Sequence, residues 1–94
     1  MLTKYKLYED VYVRIDMKTA FIYDGSRKQI YRIPIILGLI LDSVRTNALT
    51  IEEIQNEVLA TLINDPNIQT YKEKVKYFIS NLLDKGLIVI EKEE

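Results

Sequence analysis

The stretch from Tyr71 to Glu91, YKEKVKYFISNLLDKGLIVIE, limits what the rest of the chain can be. Tyr71, Val75, Phe78, Ile79, Leu82 and Leu83 recur at three- and four-residue spacing, which predicts one amphipathic helix with a single apolar face. The remainder of the chain must cover that face. Thr70, with Glu73 three residues later, predicts a capping box and a helix start near Tyr71. Gly86 supplies the left-handed conformation that ends a helix at little cost, and Lys85 sits where the dipole favours a cation. Leu87 to Ile90 is short and β-branched, the pattern of a terminal strand. A second stripe, Lys74, Tyr77, Asn81 and Lys85, runs beside the apolar one with Phe78 on its border. An aromatic ring among cations and an amide suits the wall of a peptide groove, and equally a solvated helix face.

The preceding residues read as the cover. Residues 1–10 alternate loosely and are expected to form an extended arm. Val11, Val13 and Ile15 alternate with Tyr12, Arg14 and Asp16, the period-two pattern of a half-buried strand. Asp16 to Thr19 reads as a turn. Ala20 to Asp24 is a second strand, with Phe21 and Tyr23 on one face and Ile22 on the other. Asp24-Gly25-Ser26 is a strong turn signal, and Gln29 to Ile33 completes a three-stranded antiparallel meander over residues 11–33. Pro34 suits the first position of a helix, and Ile35 to Val44 is apolar on nearly every side, so that helix is buried. Gly38 inside it costs about 1 kcal/mol against alanine, which implies that another backbone crosses closely there. Thr50 and Glu53 form a second capping box, opening a helix whose apolar positions are Ile51, Ile54, Val58, Leu59, Leu62 and Ile63. Asn64-Asp65-Pro66-Asn67 breaks it. The expectation is an α+β chain of one domain, residues 1–94, in which a three-stranded antiparallel sheet is followed by three helices and a short terminal strand over residues 34–90.

Composition narrows the function. The chain has 94 residues, of which 48% are hydrophobic and 29% charged, so it is long enough for one core and too apolar to be disordered. It contains neither cysteine nor histidine, which removes disulfides, thiolate metal sites and the commonest general base. With no glycine-rich phosphate loop or paired-carboxylate motif either, the sequence predicts no enzyme, no metal and no cofactor. Leu2 to Lys6 lacks the apolar core of a signal peptide, and the longest apolar run, Ile33 to Leu41, is too short to cross a bilayer. A cytoplasmic location without membrane contact is expected. Charge is uneven: residues 1–33 carry a net +3 and residues 34–94 a net −4.

The order of elements, together with three segments, carries a resemblance. FIYDGSRKQIYRI running into an apolar helix, then LTIEEIQNEV, then YFISNLLDKGLI, resembles the PqqD-like family of winged-helix-like domains over roughly residues 11–90. That family includes the peptide chaperone of pyrroloquinoline quinone biosynthesis and the recognition elements for ribosomally made, post-translationally modified peptides. The resemblance implies a non-catalytic peptide-binding module. It would capture the leader of a precursor peptide as a strand added between the third strand and the last helix. It would then deliver that peptide to a modifying enzyme, such as a radical-SAM enzyme or a cyclase, or to a leader peptidase. Carried over by position, the receiving edge is Lys28, Gln29, Ile30, Tyr31, Arg32 and Ile33. The wall is Lys74, Tyr77, Phe78 and Asn81, with Val75 deeper. The cations Arg27, Lys28, Arg32 and Lys74 would favour an acidic or mixed leader. An exposed third-strand edge also allows a weak dimer as well as a monomer.

A DNA-binding winged helix is the alternative, with Tyr71 to Lys85 as recognition helix and Lys72, Lys74 and Lys76 on phosphates. A pI near 5.5, the acidic pair Glu52-Glu53 and the absence of arginine from the last helix argue against nucleic acid.

Overall fold

A computed structural model describes residues 3–91. In chain order it contains β1 (Lys4–Leu7), β2 (Val11–Asp16), β3 (Thr19–Asp24), β4 (Gln29–Pro34), α1 (Ile35–Ser43), α2 (Ile51–Thr61), α3 (Ile68–Asp84) and β5 (Ile88–Glu91). The architecture is α+β: an antiparallel sheet in the order β2-β3-β4, three helices, and a separate two-stranded ribbon of β1 with β5.

The meander forms where alternation places it. Val13 pairs with Ile22 and Ile22 with Tyr31, so these three share the inner face, while Tyr12, Tyr23 and Ile30 share the outer one. A two-residue turn with Met17 in the left-handed region (φ 52°) joins β2 to β3. The longer turn from β3 to β4 is organised by Asp24, which is buried. Its carboxylate accepts the N–H groups of Ser26 and Arg27 at 3.0 and 3.3 Å and lies 3.9 Å from the Arg27 guanidinium. A buried carboxylate held this way satisfies its acceptors locally and pins the turn.

Helix α1 lies across the inner face, and no residue from Ile35 to Val44 is exposed. Gly38 is the point of closest approach. A Cβ built there would stand 2.2 Å from the Cβ of Ala20 and 3.1 Å from Cδ1 of Ile15. Ile22, Ile40, Leu41, Val44, Ile54, Val58, Val75, Ile79, Leu82 and Ile88 then form one continuous core joining sheet, helices and ribbon.

Three expectations are corrected. Of the segment read as an arm, residues 1 and 2 lie outside the described residues, and Lys4–Leu7 is tied in on both sides. β1 pairs with β5, and on its other side Tyr5 exchanges both backbone hydrogen bonds with Leu49 (2.7 and 2.9 Å). Loose alternation of Lys4 and Lys6 with Tyr5 and Leu7 was therefore a true strand pattern, and β5 supplied the partner that sequence alone could not specify. The capping box at Thr70 and Glu73 does not form. α3 begins at Ile68, because the Asp65 carboxylate accepts the Asn67 N–H at 2.8 Å and its carbonyl accepts the Ile68 N–H at 3.1 Å, so the turn runs straight into the helix. Thr70 is already inside the first turn. Pro34 precedes the first helical position; with φ −57° and ψ 146° it closes β4 and caps α1, since its fixed φ serves an extended residue as well as a helical one.

The other capping box does form. Glu53 N–H donates to the Thr50 hydroxyl at 3.2 Å, and Thr50 N–H donates to the Glu53 carboxylate at 3.0 Å. The Thr50 backbone bond, then its side-chain bond, holds the Glu53 carboxyl below the usual glutamate value. A depressed carboxylate pKa contributes stability that is present above the unfolded value and lost as pH falls through the folded one. Thr50→Ala is expected to cost about 1 kcal/mol at neutral pH. In urea titrations the gap between variant and wild type should narrow below the usual glutamate range. A gap independent of pH would assign the loss to the hydroxyl alone.

At the far end, α3 closes as predicted. Gly86 has φ +74°, Gly86 N–H donates to the Leu83 carbonyl (3.0 Å), and Leu87 N–H donates to that of Leu82 (3.1 Å). This double bond pattern is a Schellman motif. It turns the chain sharply, burying Leu87 and Ile88 before β5 returns to β1.

Candidate functional site

β4 is the edge of its sheet, and among the described residues it pairs with β3 alone. The register fixes which of its backbone groups are free. Asp16 and Thr19 flank a two-residue turn, which makes them a hydrogen-bonded pair. Alternation then turns Thr19, Phe21 and Tyr23 toward β2, and Ala20, Ile22 and Asp24 toward β4. Their partners Ile33, Tyr31 and Gln29 bond inward. The N–H and C=O groups of Ile30 and Arg32 therefore point outward. Two observations agree with this phase: Pro34, which has no N–H, falls opposite Thr19 at a non-bonded position, and the Ile33 carbonyl faces β3, where it accepts the Thr19 hydroxyl at 3.2 Å.

Beside this edge is a cavity of about 430 Å³ lined by Ile22, Arg27, Tyr31, Arg32, Ile33, Lys85 and Leu87. It exists because α1 covers the inner face of β3 more fully than that of β4. Ala20 and Ile22 are buried, whereas Tyr31 remains 37% exposed and Ile33 is half-buried. The floor is aliphatic. The charged lining residues are Arg27, Arg32 and Lys85, with no carboxylate in the lining. The nearby Asp24 offsets part of the Arg27 charge.

The residues expected to receive a peptide do not all come together. Tyr31, Arg32 and Ile33 line the cavity. Gln29 and Ile30 lie on the same edge strand, and the Gln29 amide oxygen accepts the Tyr31 hydroxyl. Lys28 does not belong to the strand: with φ 53° it occupies the left-handed position that ends the turn. On the helix, Tyr77 is 67% exposed and meets the half-buried Phe78 edge-on at 6.0 Å. Lys74 is exposed and Asn81 half-buried, and none of these four reaches the cavity lining. Val75 is a correction. It is buried in the core with Ile79 and Leu82, because it belongs to the apolar stripe that faces inward, and it cannot touch a ligand of the edge. The sequence offers Arg27 as a cation favouring an acidic leader and Lys85 as the last member of the polar stripe, but neither as a contact of the edge, and Leu87 only as strand; all three line the cavity. Lys85 reads in sequence both as a helix-end cation and as the end of the polar stripe, Leu87 reads as strand, and the Schellman turn brings the two together beside β4.

The lysines at the start of α3 have a different setting. Lys72 and Lys76 share a polar cavity of about 620 Å³ between α2 and α3 with Glu52 and Glu73, so carboxylates stand beside the cations that would have to meet phosphates. No helix among the described residues is long and apolar enough to cross a membrane. Comparison of the chain with protein-family models, curated proteins and solved structures returns no match.

Proposed function

We propose that the chain is a non-catalytic peptide-recognition domain of the winged-helix-like PqqD type, acting in the cytoplasm. It captures the leader region of a ribosomally made precursor peptide by strand addition to β4 and hands it to a modifying enzyme or leader peptidase. One observation carries this reading: an unpaired strand edge, with the Ile30 and Arg32 backbone groups turned outward, lies beside a cavity whose floor is aliphatic and whose charged lining is cationic. Backbone bonds supply affinity in strand addition, and pockets under alternate side chains supply selectivity. The chemistry suits an extended segment with an aliphatic or aromatic anchor flanked by Asp or Glu. The anchor enters between Ile33 and Leu87, and the carboxylates meet Arg32 and Lys85. Asn81, Phe78 and Tyr77 lie outside this cavity and would meet only a peptide that runs on past Lys85 along α3. A DNA-binding role has less support, since Glu52 and Glu73 stand among the lysines of α3.

The test is fluorescence anisotropy with the labelled short peptide encoded beside the gene and a labelled random duplex, each at two salt concentrations. Sub-micromolar peptide binding with a silent duplex is expected; salt-sensitive duplex binding with a silent peptide would overturn the reading. Lys85→Glu should raise the peptide Kd about tenfold, which is about 1.4 kcal/mol. The effect should exceed that of Tyr77→Ala, and the reverse order would move the groove to the middle of α3.

A further inference from the structure

The outer face of the β2-β3-β4 sheet carries two cross-strand rows that no element among the described residues covers. One is Tyr12, Tyr23 and Ile30; the next is Arg14, Phe21 and Arg32. Tyr12, Tyr23 and Ile30 are 62, 41 and 72% exposed, and the two tyrosine rings stand 6.1 Å apart. Between the rows lies an open depression of about 420 Å³ bordered by Tyr12, Arg14, Phe21, Tyr23 and Ile30. Neither row contains a carboxylate or a lysine; the adjoining row of Asp16, Thr19 and Pro34 brings one carboxylate to this face, beside Arg14, against two guanidiniums. Strand propensity does not require this: a solvated outer face normally alternates in charged and small polar groups, and contiguous exposed apolar area of this kind marks an interaction site.

We infer that this face is a second docking surface, which takes an acidic surface of a partner protein with an apolar centre. Under the delivery reading above, on which this assignment of the partner rests, that protein is the enzyme receiving the peptide. Aromatic residues and arginine with lysine and carboxylates depleted is the composition of the core of a protein–protein interface. Tyr and Arg are also the residues that most often dominate its energy. The two guanidiniums flanking Phe21 call for carboxylates. A second copy of this chain would bring two more guanidiniums against one carboxylate, Asp16, so the net charge of the face opposes self-association. A nucleic-acid surface draws on lysine as well as arginine, and these rows have none. Continuity adds a mechanical consequence. Ile30 and Arg32 belong both to this face and to the receiving edge, so a peptide added to β4 becomes a fourth strand whose alternate side chains extend the same outer face. The partner then contacts carrier and cargo together, and the coupling is reciprocal.

The experiment is an amide-resolved NMR titration of the full chain with a random glutamate–tyrosine copolymer as the acidic aromatic probe. A twelve-residue oligothymidylate is titrated in parallel, and sedimentation velocity is run on the protein alone. The expected result is saturable shifts at Tyr12, Arg14, Phe21 and Tyr23 with the copolymer. Phe21→Thr with Tyr23→Thr, or Arg14→Glu, should weaken it at least tenfold. The same variants should bind the precursor peptide within about twofold of wild type, which separates this face from the β4 edge. Shifts confined to β4 and Lys85 would overturn the second surface and leave the capture reading standing. Shifts on the outer face with a precursor peptide that does not bind would do the reverse. Outer-face shifts with the oligonucleotide alone, or a dimer dissolved by Phe21→Thr, would also overturn the proposal.

Discussion

Ile30→Pro is expected to weaken strand addition while leaving the fold in place, whereas Tyr31→Pro, one residue along, is expected to unfold the hairpin. The contrast follows from the phase of the β3-β4 ladder. The Ile30 N–H points away from β3, at a side chain that is 72% exposed, so proline there removes a donor that only an incoming strand would use. Its ring also occupies the space which that strand needs. Losing one backbone bond and its neighbouring contacts should raise the peptide Kd by tenfold or more, about 1.4 kcal/mol or above. The melting temperature should move by only a few degrees. Tyr31, opposite Ile22, donates inward. Proline at that position leaves the Ile22 carbonyl without its partner beside the core, about 1–3 kcal/mol for the unsatisfied group alone, before any clash with β3. Circular dichroism melts and anisotropy on the two variants give the answer. If Tyr31→Pro melts like wild type and Ile30→Pro unfolds, the ladder has the opposite phase and the outward groups belong to Gln29, Tyr31 and Ile33.

The edge strand was legible in the sequence because period two and a turn signal at Asp24-Gly25 fix a strand locally. What sits across from it was not. The polar stripe Lys74, Tyr77, Asn81 and Lys85 runs along the last helix, yet only its final member reaches the cavity, which Leu87 closes beside it. A helical wheel ranks angular position around the axis. It says nothing about which height along a helix of seventeen residues, about 26 Å long, stands against the sheet. That height is set by the α1 crossing and by the Schellman turn, both tertiary. Val75 shows the same limit from the other side, since the stripe that contains it was correctly read as core-facing and then also asked to serve the groove.

Local chemistry was read best where it is self-contained. Thr50 and Glu53 make their capping box because nothing upstream competes for it. Thr70 and Glu73 have the same spacing and fail, because Asp65 begins the helix three residues earlier than Tyr71. Two identical motifs thus diverge through one upstream carboxylate. β1 needed more than local signals: its alternation is weak, and its place depends on β5 at the opposite end of the described chain.

Gly38 offers the sharpest test of the packing that holds the site open. Alanine in a helix interior gains about 1 kcal/mol over glycine from propensity, so Gly38→Ala would stabilise an isolated α1. In the folded chain its Cβ would fall 2.2 Å from the Ala20 Cβ, against an optimum of about 3.5–4.0 Å between carbons. Neither atom is the tip of a flexible side chain, so relief requires α1 and β3 to separate by more than about 1 Å. Overpacking of this kind costs about 1–3 kcal/mol. The net expectation is therefore destabilisation in urea titrations, with Gly38→Val worse than Gly38→Ala. Ala20→Gly removes the atom that is struck, and the double variant should recover at least about 1 kcal/mol relative to the sum of the single changes, as contacting residues do. Peptide affinity should follow stability here, because Ile22 of β3 and Ile33 of β4 form part of the cavity floor, and a displaced α1 tilts both strands against Leu87. A Gly38→Ala protein more stable than wild type would show that the helix-to-sheet spacing is set elsewhere, and that the sheet edge keeps its position without this contact.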